Sequence, residues 1–252
     1  MTRFRWIALF TAALVLIFSV GAPLRAEPLS DEQRAEVEKM IRDVLMENPE
    51  IIIEAVRQYE QKREIAENEQ RQKALAGFAK LLEEENLGPT LGNPEGPVVL
   101  VEFSDYNCGY CKRAFPSVQK LIQENPDLRV VMMEFPILKE SSLFAAQAAL
   151  AADRQGKYEA FHTAMMELRG GFNERTVFRI AEDIGLDVEQ LQSDMKHPSI
   201  LKYLEVNKQL AQRLNVRGTP AFVVGNSFIP GAADYDTLQA HVDETRKLAQ
   251  SN

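Results

Sequence analysis

Between Ser30 and Tyr59 apolar residues recur at helical spacing. Val37, Ile41, Val44 and Leu45 fall three and four apart, which places them on one face of a helix. Ser30-Asp31-Glu32-Gln33 fits a capping box, with Ser30 as the cap and Gln33 reaching back. Asn48-Pro49 ends this helix and starts another, since Asn is a good N-cap and Pro suits the first helical position. The second helix opens on Ile51, Ile52, Ile53, Ala55, Val56 and Tyr59. It then becomes almost wholly polar from Arg57 to Lys73, and regains an apolar stripe through Leu75, Phe78, Leu81 and Leu82.

After dense turn signals at Gly88-Pro89 and Gly92-Asn93-Pro94-Glu95-Gly96-Pro97, the pattern changes. Val98–Phe103 and Leu128–Phe135 read as buried strands. The segment between them predicts a helix from Cys111 to about Asn125, with Pro116 in its first turn. This β-α-β unit implies parallel strands joined by a right-handed crossover. Residues 141 to about 214 read as consecutive helices, punctuated by Gly156, Gly170-Gly171, Gly185 and Pro198. Ala221–Val224 and Ser227–Ile229 flank Gly225-Asn226, a hairpin signal, and a helix from Asp236 to about Gln250 closes the chain. The expected architecture is α/β: a thioredoxin-type fold over 91–252 with a helical subdomain inserted at about 140–214, preceded by an all-helical extension over 27–90.

That extension has too few apolar residues to form a core of its own. Its patch from Val37 to Tyr59 either folds back on the larger domain or associates with other copies of the chain. The polar stretch after it favours self-association, because a helix polar all round offers no surface to dock. A homo-oligomer, such as a trimer, is expected.

The first residues predict export rather than fold. Arg3 and Arg5 precede an uncharged run from Trp6 to Val20, then Gly21-Ala22-Pro23 and a cleavage point after Ala26. The run is shorter than the roughly 20 residues a membrane anchor needs, and Pro23 ends it. A cleaved signal peptide over 1–26 and a periplasmic destination follow. The net charge of −8 argues against nucleic acid as a partner.

Cys108 and Cys111 are the two cysteines of the chain, two residues apart where a strand meets a helix. A bond between them would close almost no loop, so a structural role is weak. Half of a zinc site would need further ligands, and His162, His197 and His241 show no ligand spacing. No metal site is expected, and Met132-Met133 and Met165-Met166 are explained as core. Redox chemistry remains, since a helix N-terminus stabilises a thiolate. Cys108 is the expected nucleophile and Cys111 the resolving thiol, with their disulfide as the redox group and no other cofactor. Glu102 interrupts an apolar strand that does not alternate. A carboxyl buried there would have a raised pKa and could relay a proton to or from Cys111.

Glu102-Phe103-Ser104-Asp105-Tyr106, Cys108-Gly109-Tyr110-Cys111 and Arg217-Gly218-Thr219-Pro220, with the helical insert, resemble the DsbA-like thiol-disulfide oxidoreductases. The extension is similar to that of the suppressor-of-copper-sensitivity protein C and Com1-type members. The resemblance implies a cis Pro220 against the cysteine pair and substrate backbone held by Thr219, with Gly109 and Tyr110 beside it. Gly-Tyr together with Thr219 is similar to the isomerase pattern. Tyr110 supplies no positive charge, so a milder oxidant than a dedicated oxidase is expected. The preferred function is isomerase or reductase for exported proteins, with a membrane reductase as partner. A dithiol oxidase with a membrane oxidase partner is the alternative, and a copper-binding or chaperone-like protein is the reading from another class.

Overall fold

The computed structural model describes residues 28–84 and 88–250, so the expected signal peptide over 1–26 lies outside the described residues. The described chain forms two compact units that meet between Gln61 and Lys62.

The first unit is helical. α1 (Asp31–Glu47) carries the expected capping box: the Gln33 N–H donates to Ser30 Oγ at 3.2 Å and the Ser30 N–H to Gln33 Oε1 at 2.9 Å. It ends at Asn48, and α2 (Glu50–Glu84) follows. α1 buries no residue. Val37, Met40, Ile41 and Val44 of α1 stay exposed, as do Ile51, Ile52, Ile53, Val56 and Tyr59 of α2.

The second unit begins inside the stretch read as a linker, not at residue 91. Leu75 and Phe78 of α2 are buried in an apolar cluster with Val101, Phe103, Val131 and Met133. A polar helix needs only one short apolar stripe to dock, and α2 has it. A short strand that the sequence pattern did not suggest comes next, β1 (Thr90–Gly92), followed by β2 (Val98–Ser104), α3 (Gly109–Glu124) and β3 (Leu128–Glu134). α4 (Glu140–Arg154), α5 (Tyr158–Glu167), α6 (Glu174–Asp183), α7 (Val188–Asp194) and α8 (Pro198–Arg213) form the insert. β4 (Ala221–Val224), β5 (Ser227–Pro230) and α9 (Tyr235–Gln250) complete the chain.

The sheet order is β1-β3-β2-β4-β5. β2 and β3 are parallel from Val98↔Leu128 to Ser104↔Glu134, and the other pairings are antiparallel. The β4–β5 turn rests on Gly225 at φ +54, where an added Cβ would lie 2.6 Å from Thr245 Oγ1. Both faces are covered, so β2 and β3 read as continuous apolar runs. Leu100, Val130 and Met132 point into the core beneath α3, α9 and the insert. Val101, Phe103, Val131 and Met133 point to the other side, against α2 and α8. By the two-residue period of a strand, Glu102 and Glu134 share the face of Leu100 and Met132, the one that α3 covers.

α3 starts two residues earlier than the pattern predicts, so Pro116 lies inside the helix rather than in its first turn. The missing N–H leaves one backbone bond unmade, and the helix continues because its other face is held by Ala114, Phe115, Val118 and Leu121, all buried.

Candidate active site

Cys108 is the N-cap of α3. Its sulfur takes the role that a Ser or Asp oxygen usually plays, accepting the Cys111 N–H at 3.3 Å. In the thiol form it donates to the Thr219 carbonyl at 3.1 Å. The Cys108 thiol is pulled down to about 5, foremost by the hydrogen bond from the Cys111 thiol. Burial opposes this, while the Thr219 side chain and the N–H groups of Cys111 and Tyr110 add to it. Cys111 is fully buried. Desolvation, the hydrogen bond to Cys108 and the charge of Glu102 all push its thiol up. The pair is therefore split into a thiolate at the helix mouth and a thiol beneath it, and both cysteines are free.

Glu102 is 3% exposed, and burial pushes its carboxyl up to about 8; Ser104 partly offsets this, and the Cys108 charge reinforces it. The strand is indeed buried on both faces. Thr219-Pro220 is a cis peptide, as the resemblance implies, and it brings the Thr219 carbonyl onto Cys108 from the start of β4. Tyr110 is 61% exposed, with the Arg113 guanidinium 4.0 Å over its ring. A cation thus stands over the ring that lies between the cysteines, supplied from the next turn of the helix. Gly109 is exposed, and a Cβ added there would meet Arg113 Nη1 at 3.9 Å, an ordinary van der Waals contact.

A groove of about 560 Å³ leads away from this point, lined by Tyr110, Thr219, Pro220, Phe228 and, from α2, Glu67 and Arg71. A second, of about 620 Å³, runs past Asn107, Gly109, Lys112 and Phe172.

Sequence reasoning missed a buried polar cluster next to the site. Tyr106 and Tyr158 donate their hydroxyls to Glu134 Oε1 at 2.9 and 2.7 Å, and Tyr106 lies 3.0 Å from His162 Nδ1. The Tyr106 hydroxyl thus bridges Glu134 and His162. Burial pushes His162 down to about 3, which keeps it neutral, and pushes Glu134 up to about 8. Asp105 anchors the loop before Cys108 by accepting the N–H groups of Asn107, Ile137 and Leu138. The available signal was Glu134 itself, an acid ending an apolar strand just as Glu102 interrupts the other.

Residues 99–243 match the DSBA-like thioredoxin domain, and residues 33–66 the copper resistance protein ScsC N-terminal domain. The chain belongs to the DsbA-like thioredoxin-domain family. Among solved structures it is similar to a thioredoxin-like oxidoreductase from Silicibacter pomeroyi, with 51% identity and TM-score 0.63 over 65% of this chain and 95% of that one. It is also similar to a linker-deletion mutant of Proteus mirabilis ScsC, with 31% identity and TM-score 0.65 over 90% of this chain and all of that one. Among curated relatives, the Na(+)/H(+) antiporter NhaA 1 of Mycobacterium sp. (strain KMS) is 31% identical over 152 residues. That match takes in 58% of this chain and 25% of the antiporter, so the chain spans about a quarter of the length of such relatives. The DsbA-like fold with a helical N-terminal region is thereby established from both sequence and structure.

Proposed function

We propose that this protein is an exported thiol-disulfide oxidoreductase that reduces or isomerises disulfides in other exported proteins of the periplasm. The observation that carries the reading is the splitting of the two thiols, with Cys108 down at about 5 and Cys111 pushed up. The Cys108 thiolate attacks a substrate disulfide, forming a mixed disulfide and expelling one substrate thiolate. In the fraction of molecules where Glu102 is ionised, Cys111 then gives its proton to that carboxylate and attacks the Cys108 sulfur. That fraction is the minority at neutral pH, because burial pushes the carboxyl up to about 8. The second substrate thiolate leaves, two electrons have passed to the substrate, and Cys108–Cys111 is the oxidised form. In isomerisation a substrate thiolate resolves the mixed disulfide instead, and Cys108 returns as thiolate.

When Cys108 has no proton to donate, the Thr219 carbonyl is released to accept a backbone N–H from an extended substrate. Pro220, Gly109 and Tyr110 form the apolar seat around it. A stabilised thiolate favours the dithiol form, the form isomerisation requires, so a membrane reductase is the implied partner. The exposed apolar residues of α1 and early α2 support a homo-oligomer, such as a trimer. Several cysteine pairs facing one substrate would raise effective concentration for reshuffling.

The oxidase alternative draws on the same stabilised thiolate, because it also makes the disulfide oxidising. Recovery of a scrambled disulfide protein separates the two. With dithiol protein, wild type restores native pairing, while Ile41→Asp/Val44→Asp yields monomers that reduce disulfides but restore native pairing several-fold more slowly. Equal recovery by these monomers removes the oligomer from the account. No recovery by wild type, with rapid oxidation of a dithiol peptide by the disulfide form, selects the oxidase.

A further inference from the structure

The groove beside Pro220 has a wall that the redox chemistry does not use. Glu67 and Arg71 come from α2, while Arg217, Pro220, Phe228 and Pro230 come from the segment around β4 and β5. Glu67 is already engaged: Arg63 Nε lies 3.3 Å and Arg217 3.4 Å from its carboxylate, and Asn215 Nδ2 donates to it at 3.5 Å. Arg71 is placed differently. Its guanidinium carbon lies 4.7 Å over the Phe228 ring, and its Nε is buried with no hydrogen-bond partner among the described residues. Arginine cannot shed its proton, and the half-buried Arg71 side chain lines the groove with its charge unmatched by an acidic partner among the described residues. The acceptor that best fits a guanidinium placed over a ring at the wall of a groove is a carboxylate.

We infer that Arg71 reads an acidic side chain on the extended substrate segment that leaves the Thr219-Pro220 seat along this groove, making it a specificity-determining residue of the N-terminal extension. The inference rests on the peptide-binding reading of that seat. It assigns the substrate class as cysteine-containing segments with an Asp or Glu within a few residues of the reacting cysteine, against an apolar floor.

The test uses the full mature chain in its dithiol form and peptides carrying one cysteine as a mixed disulfide with glutathione. Reduction consumes the two protein thiols and releases peptide thiol and glutathione. Asp or Asn is placed one to four positions to either side of the cysteine, and kcat/KM is read by mass spectrometry. At one or two positions, wild type should favour Asp over Asn by roughly 10- to 100-fold, the scale of one charge-assisted hydrogen bond. Arg71→Gln should bring that ratio near one, and added salt should shrink it in wild type. A ratio under about two-fold at every position in wild type overturns the inference. So does a ratio that persists in Arg71→Gln, or, if that variant does not fold, one that is indifferent to salt. If no peptide is reduced by wild type at all, the underlying reading of the cysteine pair fails, a different result from reduction without preference.

Discussion

Glu102 on β2 and Glu134 on β3 lie on the same face of the sheet, and burial pushes both carboxyls up to about 8. Their surroundings differ. Glu134 sits in a cage: two tyrosine hydroxyls donate to its side chain, and Asn207 donates to its backbone carbonyl at 3.0 Å. Glu102 is instead coupled electrostatically to the cysteine pair: the charge of Cys108 helps to raise its carboxyl, and its own charge is among the factors that raise Cys111. A buried acid held by two hydroxyl donors on one oxygen is a fixed part of the structure. A buried acid that faces a titrating sulfur can change protonation during reaction. The same residue type, one strand apart, thus supports the fold in one place and the chemistry in the other.

The largest expected effect comes from breaking the cage. Glu134→Ala removes the acceptor shared by two buried hydroxyls and leaves a cavity, at about 3–5 kcal/mol of stability by denaturant unfolding, while disulfide exchange per folded molecule changes little. A variant that stays stable but exchanges slowly would dissolve the contrast between the two acids.

Glu102→Gln should do the opposite. A carboxyl raised from 4.5 to about 8 contributes stability that is whole below pH 4.5 and is lost as pH rises toward 8, where the folded protein must ionise it. At pH 7 the variant should therefore be more stable by roughly 2–4 kcal/mol, with no gain at pH 4. Release of the mixed disulfide by Cys111 should slow by about 10²-fold, the scale of a lost proton acceptor. Loss of stability at pH 7 with exchange unchanged would make Glu102 a second structural acid.

The smallest effect sharpens the cage. Tyr158→Phe removes one of two donors to Glu134 and should lower stability by about 1 kcal/mol, leaving exchange intact. A loss as large as that of Glu134→Ala would place the cage's strength in that single bond.

Much of this was legible in the sequence, because local patterns carried it. Apolar runs that do not alternate with polar residues marked β2 and β3, the cysteine spacing marked the head of α3, and Gly225-Asn226 marked the hairpin. Glu102 was visible as a charge in a run that does not alternate. What was hidden depends on distant contacts. β1 is three residues long and sits among turn-forming glycines and prolines, so no periodicity could reveal it. The second half of α2 reads as a linker until Leu75 and Phe78 meet Val101 and Phe103 across the chain. The Glu134 cage joins residues 24 to 73 apart in sequence, so no spacing rule unites them. Arg113 escaped notice because the cation over Tyr110 comes from the following turn of α3, not from between the cysteines.

The central claim is that the lowered Cys108 thiol keeps the pair reduced for attack on wrongly formed disulfides. Acid-quenching of growing cells, alkylation of free thiols and separation of the two forms by mass tests it most directly. The account predicts that Cys108 and Cys111 are mostly dithiol in the cell, becoming disulfide when the membrane reductase is removed. A pair found mostly as disulfide in wild-type cells would contradict it and assign the protein to disulfide formation.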